Sequence, residues 1–318
     1  MNRLGLSLLT LILFLAEAPS AWPQSAQYDP GTGRWLVPTI VRRHDVPDST
    51  YLSGAAAFPA VGGISSSEGS CSCTLIAPNW ILVAAHCVDN NALAPSAYTI
   101  TLGGVTRTGA QKVLHPGWTG GLAAGTDIAL VRLNASITTV APMPINDRFD
   151  DVGRMGTHVG RGRTGTGLTG HTTSDGLFRA GTNMQDVTGA IFGWSSAILL
   201  ADFDNPNDPA DNWFGSATPT ALEAGLAPGD SGGALFIDFG FGPTLAGVHS
   251  FITSQDGNTN MDYGDASGST RVASHFSWIV SVTGIPEPST LLLLFLGAPA
   301  LAYRRWRAAL VTPAEGEE

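Results

Sequence analysis

Charge is scarce in this chain. Only 13% of its 318 residues are Asp, Glu, Lys or Arg, and no long charged helical stretch occurs, which excludes a helical bundle and favours short strands joined by turns. A concentrated basic surface is also missing, because the formal net charge is −10; nucleic acid is not an expected partner. The three cysteines lack a strong zinc spacing, and no exact repeat divides the central body. Whole-chain disorder is excluded by the 43% of hydrophobic residues, enough for one large core or two modest ones.

Glycine, at 39 residues, and proline, at 20, are by contrast frequent. They punctuate short strand signals such as "TLIAPNWILV", "AYTITLGG", "TDIALVRL" and "HVGRGRTG". "GGALFIDF" and "TLAGVHSFI" read as a hairpin turning across Gly240–Pro243, and "SHFSWIVSV" as a closing helix. One two-lobed β domain is the economical reading. Residues 22–60 carry Pro23, Pro30, Gly31, Gly33, Pro38, Pro47 and Pro59 around "RWLVPTIV" and read as an extended arm or processing segment.

The ends differ from the body. Arg3, the apolar run Leu4–Ala16 and small residues near Ala18 and Ala21 have the layout of a secretory signal peptide over 1–21, which implies an oxidising destination. At the other end an apolar portion, Leu291–Tyr303, precedes Arg304, Arg305 and Arg307. Composition there supports a transmembrane tail anchor. The stretch resembles the bacterial PEP C-terminal sorting signal, with Pro286-Glu287-Pro288 ahead of the hydrophobic segment. That resemblance implies export from a Gram-negative bacterium, transient or retained membrane anchoring, and an exosortase-type partner that processes residues 285–318. The product would lie at the cell surface, in the periplasm or outside the cell.

Chemistry concentrates in three segments. A nucleophilic serine needs a base, a group that orients the base, and donors for the developing oxyanion. "AAHC" offers His86, "TDIALVRL" offers Asp127 and "GDSGG" offers Ser231, separated by 41 and 104 residues. In that order the segments resemble the chymotrypsin/trypsin-like serine proteases. The resemblance implies an all-β fold, a chymotrypsin-like double six-stranded β-barrel with a short C-terminal helix, over residues 40–284. It further implies peptide hydrolysis through an acyl-enzyme without cofactor or metal, with Ser231 as nucleophile, His86 as general base and acid, and Asp127 as its orienting acceptor. The N–H groups of Gly229 and Ser231 form the oxyanion hole. A protein or peptide is the implied substrate; an esterase, or an inactive binding module on the same fold, are the alternatives.

The same resemblance pairs Cys71 with Cys87. It leaves Cys73 free, pairing in place of Cys71, or bonded to another molecule. Gly225, six residues before Ser231, stands where Lys- or Arg-selective members place an aspartate, so the resemblance implies a small or apolar residue before the cut. Ser250, Phe251 and Ile252 match the pocket wall, with Ile252 where glycine is common. Activation in the family uses a freed amine beside the aspartate preceding the serine, here Asp230, and Ile40-Val41 is the candidate new terminus. Residues 22–39 are then a processing segment. His44-Asp45 is read as structural, because neighbours in an extended strand point apart. The acidic loop 202–212 offers oxygens of the kind calcium takes but lacks EF-hand spacing, so it reads as a solvated loop.

Overall fold

A computed structural model describes residues 27–29, 31, 34–36 and 40–285. The segment expected to be a signal peptide, most of segment 22–39 and the expected sorting tail beyond Ile285 lie outside the described residues. The transmembrane expectation is corrected: among the described residues no helix is long and apolar enough to cross a membrane, and Leu291–Tyr303 is not among them.

The first lobe is a closed barrel of β1 (Val61–Ser66), β2 (Gly69–Ala77), β3 (Trp80–Val83), β4 (Thr99–Leu102), β5 (Val105–Leu114) and β6 (Ala129–Leu133), joined in the order β1-β2-β3-β6-β5-β4. Side chains alternate as strand geometry requires. Ile81 and Val83 of β3 fill the barrel with Leu75, Ile100 and Val131, while Trp80 and Leu82 face a second cluster shared with Val159, Phe236 and Val248. That second cluster cements the lobes. Burying each large apolar side chain contributes about 1.5–3 kcal/mol, so both faces of β3 work for the fold.

The second lobe is a curled seven-stranded sheet. Its strands are β7 (Met155–Gly160), β8 (Arg179–Met184), β9 (Val187–Thr188), β10 (Ile198–Asp202), β11 (Ala234–Asp238), β12 (Pro243–Thr253) and β13 (Ala266–Arg271), ordered β8-β7-β11-β12-β13-β10-β9. The all-β, two-lobed expectation stands; what differs in detail is that this lobe curls without closing. Asn183 of β8 reaches across the seam, its Nδ2 donating to Asp202 O at 2.6 Å and Ala224 O at 3.1 Å.

Two helices complete the body. α2 (Phe276–Thr283) closes the chain as the sequence indicates and buries Ile279. α1 (Asp48–Ala55) is a finding against the extended-arm reading. Pro47 precedes its first turn and Tyr51 and Ala55 are buried; proline is tolerated at a helix start, so its local density hid the element. Upstream, Val41 and Arg42 pair with Gly225 and Ala224, and Ile40 is buried. An N-terminal hairpin, Gln27–Asp29 against Arg34–Leu36, stands apart from both lobes in sequence.

Candidate active site

Strand register brings His86 and Asp127 together. β3 and β6 pair antiparallel with Val83 opposite Ala129, so the turn after β3 and the residues before β6 emerge at the same barrel end. His86 sits on the 3-10 turn Ala85–Cys87 that follows β3. Its backbone N–H donates to Asp127 Oδ1 at 2.9 Å, and Nδ1 lies 2.7 Å from Oδ2. Asp127 is wholly buried. Burial opposes a charged imidazole, but the Asp127 carboxylate beside it, with Asp89 farther off, lifts His86 above its ordinary value.

The second lobe holds this pair from behind. Ser250 Oγ donates to Asp127 Oδ2 at 2.6 Å, and Thr270 Oγ1 donates to the Asp127 carbonyl at 3.0 Å. Ser250, expected in the pocket wall, therefore also supports the His–Asp pair. Sequence reading missed Thr270, since nothing local marks a threonine in the middle of β13.

Ser231 lies on the turn that leads into β11. Ser72 N donates to Ser231 O at 2.8 Å, Gly232 N to His249 O at 2.8 Å and His249 N to Gly233 O at 3.0 Å, so three bonds tie this turn to β2 and β12. Gly229 has φ +99° and Gly232 φ +78°, a region that favours glycine. The N–H groups of Gly229 and Ser231 donate to no other group among the described residues. His86, Gly229 and Ser231 border one cavity of about 660 Å³. Ser231 Oγ and His86 Nε2 share it without a hydrogen bond between them; such pairs are often loose until substrate tightens them.

Asp230 points away, into the protein. Its Oδ1 accepts from Gly162 N at 2.7 Å and Oδ2 from Ala227 N at 2.8 Å. Burial pushes its carboxyl well above the usual range, and it has no ion-pair partner among the described residues. Ile40 packs with Leu226, Ala227, Ile252 and Met261, close in the fold to that carboxyl's anchoring residue Ala227.

The expected pocket residues are all enclosed. A side chain at Gly225 would collide with Met261 Sδ. Met261 itself is wholly buried with φ +58°, a non-glycine residue in the left-handed region. Phe251 packs its ring over Gly268, and Ile252 lies in the core beside Met261 and Phe203. The sequence carries no local sign that Met261 folds back onto Gly225.

Cys71 and Cys87 are bonded, with S–S 2.05 Å, and Cys73 is a free, buried thiol. Burial pushes Cys73 up to about 12, leaving it inert. Cys71, His86 and Cys87 are the one group of candidate metal ligands found among the described residues, yet sulfurs bonded to each other are not thiolate ligands. His44 turns its Nδ1 to the Tyr263 hydroxyl at 2.8 Å while Asp45 pairs with Arg43. In the acidic loop, Asn205 Nδ2 donates to Asp211 Oδ2 at 2.8 Å, and Asp208 Oδ1 accepts from the Ala210 backbone N–H at 3.0 Å.

The family model described as Trypsin matches residues 50–279. Chymotrypsin-like elastase family member 1 of Felis catus is 26% identical over 246 residues, covering 73% of this chain and 82% of the relative. Serine protease SSP1 of Scolopendra subspinipes is 30% identical over 232 residues, covering 66% and 72%. Among solved structures, neuropsin, a serine protease expressed in the limbic system of mouse brain, aligns with a TM-score of 0.53 and 19% identity. It covers 76% of this chain and 99% of its own, a likeness of fold.

Proposed function

Because the chain belongs to the trypsin family of serine proteases, we propose that it is an active serine endopeptidase acting through an acyl-enzyme. The observation that carries this reading is the convergence of the Asp127–His86 pair, Ser231 and two uncommitted N–H groups on one cavity. Ser231 Oγ attacks the scissile carbonyl and His86 Nε2 takes its proton, then returns it to the leaving amine. Asp127 fixes the tautomer that leaves Nε2 unprotonated. The Gly229 and Ser231 N–H groups meet the developing negative charge, and loss of one such donor typically costs about 2.7–4 kcal/mol. Water then releases the acyl group by the same steps.

Preference for a small or apolar residue before the cut is supported by Met261 occupying the space over Gly225. Activation by cleavage before Ile40 is supported by the burial of Ile40 and by the Asp230 carboxyl, which lacks a cationic partner among the described residues. N-terminal sequencing of active material tests it; full activity with a start at Ala18–Trp22 overturns it. Export under residues 1–21 and processing of the tail by an exosortase-type peptidase complete the proposal.

The deciding experiment labels the protein with a fluorophosphonate, maps the site, and compares peptide and ester turnover with Ser231→Ala. Labelling at Ser231 with peptide cleavage is expected. Labelling with ester cleavage alone moves the reading to an esterase, no turnover of either to a binding module, and equal turnover by Ser231→Ala removes the nucleophile.

A further inference from the structure

The N-terminal hairpin crosses the cleft rather than lying beside it. Gln27 borders the same cavity as His86 and Ser231. Its Nε2 donates to Gly120 O, and its Oε1 accepts from Leu122 N at 2.9 Å, anchoring the hairpin to the loop ahead of Asp127. The returning strand, Arg34–Leu36, lies against β12, the strand that carries Ser250. There Arg34 Nη1 donates to Ser254 O at 2.6 Å. One hairpin therefore touches both lobes, on either side of the candidate site.

Arg34 enters a built receptor. Its guanidinium carbon stands 4.4 Å from the centroid of Trp213 and 4.9 Å from that of Phe192, within the range in which a ring face attracts a cation. The rings are held from below: Asp202 Oδ2, on a buried side chain, accepts from Trp213 N at 2.5 Å and Phe214 N at 2.9 Å. Phe192 also packs on Trp194, which meets Phe251 of β12 edge-on with centroids 5.8 Å apart. No carboxylate pairs with Arg34 among the described residues. Recognition thus rests on two ring faces and a carbonyl, a set suited to a flat guanidinium that stacks while donating in its own plane, better than to an ammonium.

We propose that Phe192, Trp213 and the Ser254 carbonyl form a recognition subsite for an arginine of an extended peptide substrate, filled in this chain by its own Arg34. The assignment of that peptide as substrate rests on the endopeptidase reading. The chain's own segment is an intramolecular competitor: while Arg34 is seated, an incoming peptide has to displace it. A cut before Ile40 separates the hairpin from the body, so one cleavage both frees the Ile40 amine and allows the subsite to empty.

The test uses the full chain carrying Ser231→Ala, so that nothing added is consumed. A synthetic peptide of residues 27–36, and its counterpart with Arg34→Ala, are titrated calorimetrically into this chain with Arg34 intact and with Arg34→Ala. The arginine peptide is expected to bind the Arg34→Ala chain about tenfold or more tightly than the chain with Arg34 seated, and about tenfold more tightly than the alanine peptide. Trp213→Ala should erase the difference between the two peptides; Phe192→Leu, a milder change, should reduce it if Trp213→Ala does not fold. Equal binding of both peptides, or a preference untouched by these substitutions, overturns the subsite. Failure of fluorophosphonate labelling would remove the endopeptidase reading alone, because calorimetry decides the subsite without turnover.

Discussion

Ser250 and His86 share one carboxylate oxygen: Asp127 Oδ2 accepts from Ser250 Oγ at 2.6 Å while lying 2.7 Å from His86 Nδ1. The orienting acid is thereby held by a residue of the other lobe. A hydrogen bond to a charged group contributes about 1.5–3 kcal/mol. Ser250→Ala should lower kcat about 10- to 100-fold and leave KM little changed, since Ser250 acts through Asp127. A loss confined to KM would return Ser250 to the pocket wall.

Substitutions in the proposed triad should be non-additive. Ser231→Ala and His86→Ala each remove about 10⁶ in kcat, and the double variant no more, because the two act as one proton-transfer unit. Asp127→Asn keeps the shape but favours the wrong tautomer and should cost about 10⁴. Additive losses in active-site-titrated kinetics would contradict a common unit.

The acid limb of kcat/KM should lie above the ordinary imidazole value. In the proposed mechanism only neutral His86 accepts the Ser231 proton, so activity should fall as pH drops through its raised pKa. Asp127→Asn removes the charge that opposes burial and should move the limb to lower pH. A limb unchanged between the two proteins would mean another group controls it.

Stability should fall from neutral to alkaline pH. Burial raises Asp204 to about 7, Glu223 to about 8 and Asp265 to about 9. Each binds its proton more firmly folded than unfolded, so its contribution is complete below the ordinary carboxylate value and is lost as pH rises through the folded one. Thermal unfolding between about pH 7 and pH 9 should show a declining Tm, flattened in Asp265→Asn. A Tm that rises over this window would show the carboxyls to be ionised in the native state.

Gly225→Asp should not create a preference for Lys or Arg. The new side chain meets Met261 Sδ in a closed core, and such overpacking costs about 1–3 kcal/mol. Lower Tm and lower turnover without basic selectivity are expected from denaturation and a peptide library. Adding Met261→Gly relieves both the collision and the positive φ, and should restore part of the lost Tm. Efficient cleavage after arginine by the single variant would show that the pocket base is open.

Much of this architecture was legible because strand signals are local. "TLIAPNWILV" specifies two strands and the turn between them, and the small residues of "GDSGG" specify a turn that only glycine-rich backbone enters. The identities of His86, Asp127 and Ser231 stood out through the order of their segments. α1 escaped, since proline at a helix start and proline in an arm look alike over a few residues.

The sequence by itself determined which chemical groups are present and which short elements carry them, because alternation and turn propensity act between near neighbours. Only the tertiary structure decided which groups meet: Ser250 turned to Asp127, Met261 folded over Gly225, and Arg34 laid over Phe192 and Trp213 with its guanidinium on the Ser254 carbonyl. These contacts join residues up to 220 positions apart. They depend on strand register and on how two lobes close around a shared core, which no local pattern encodes.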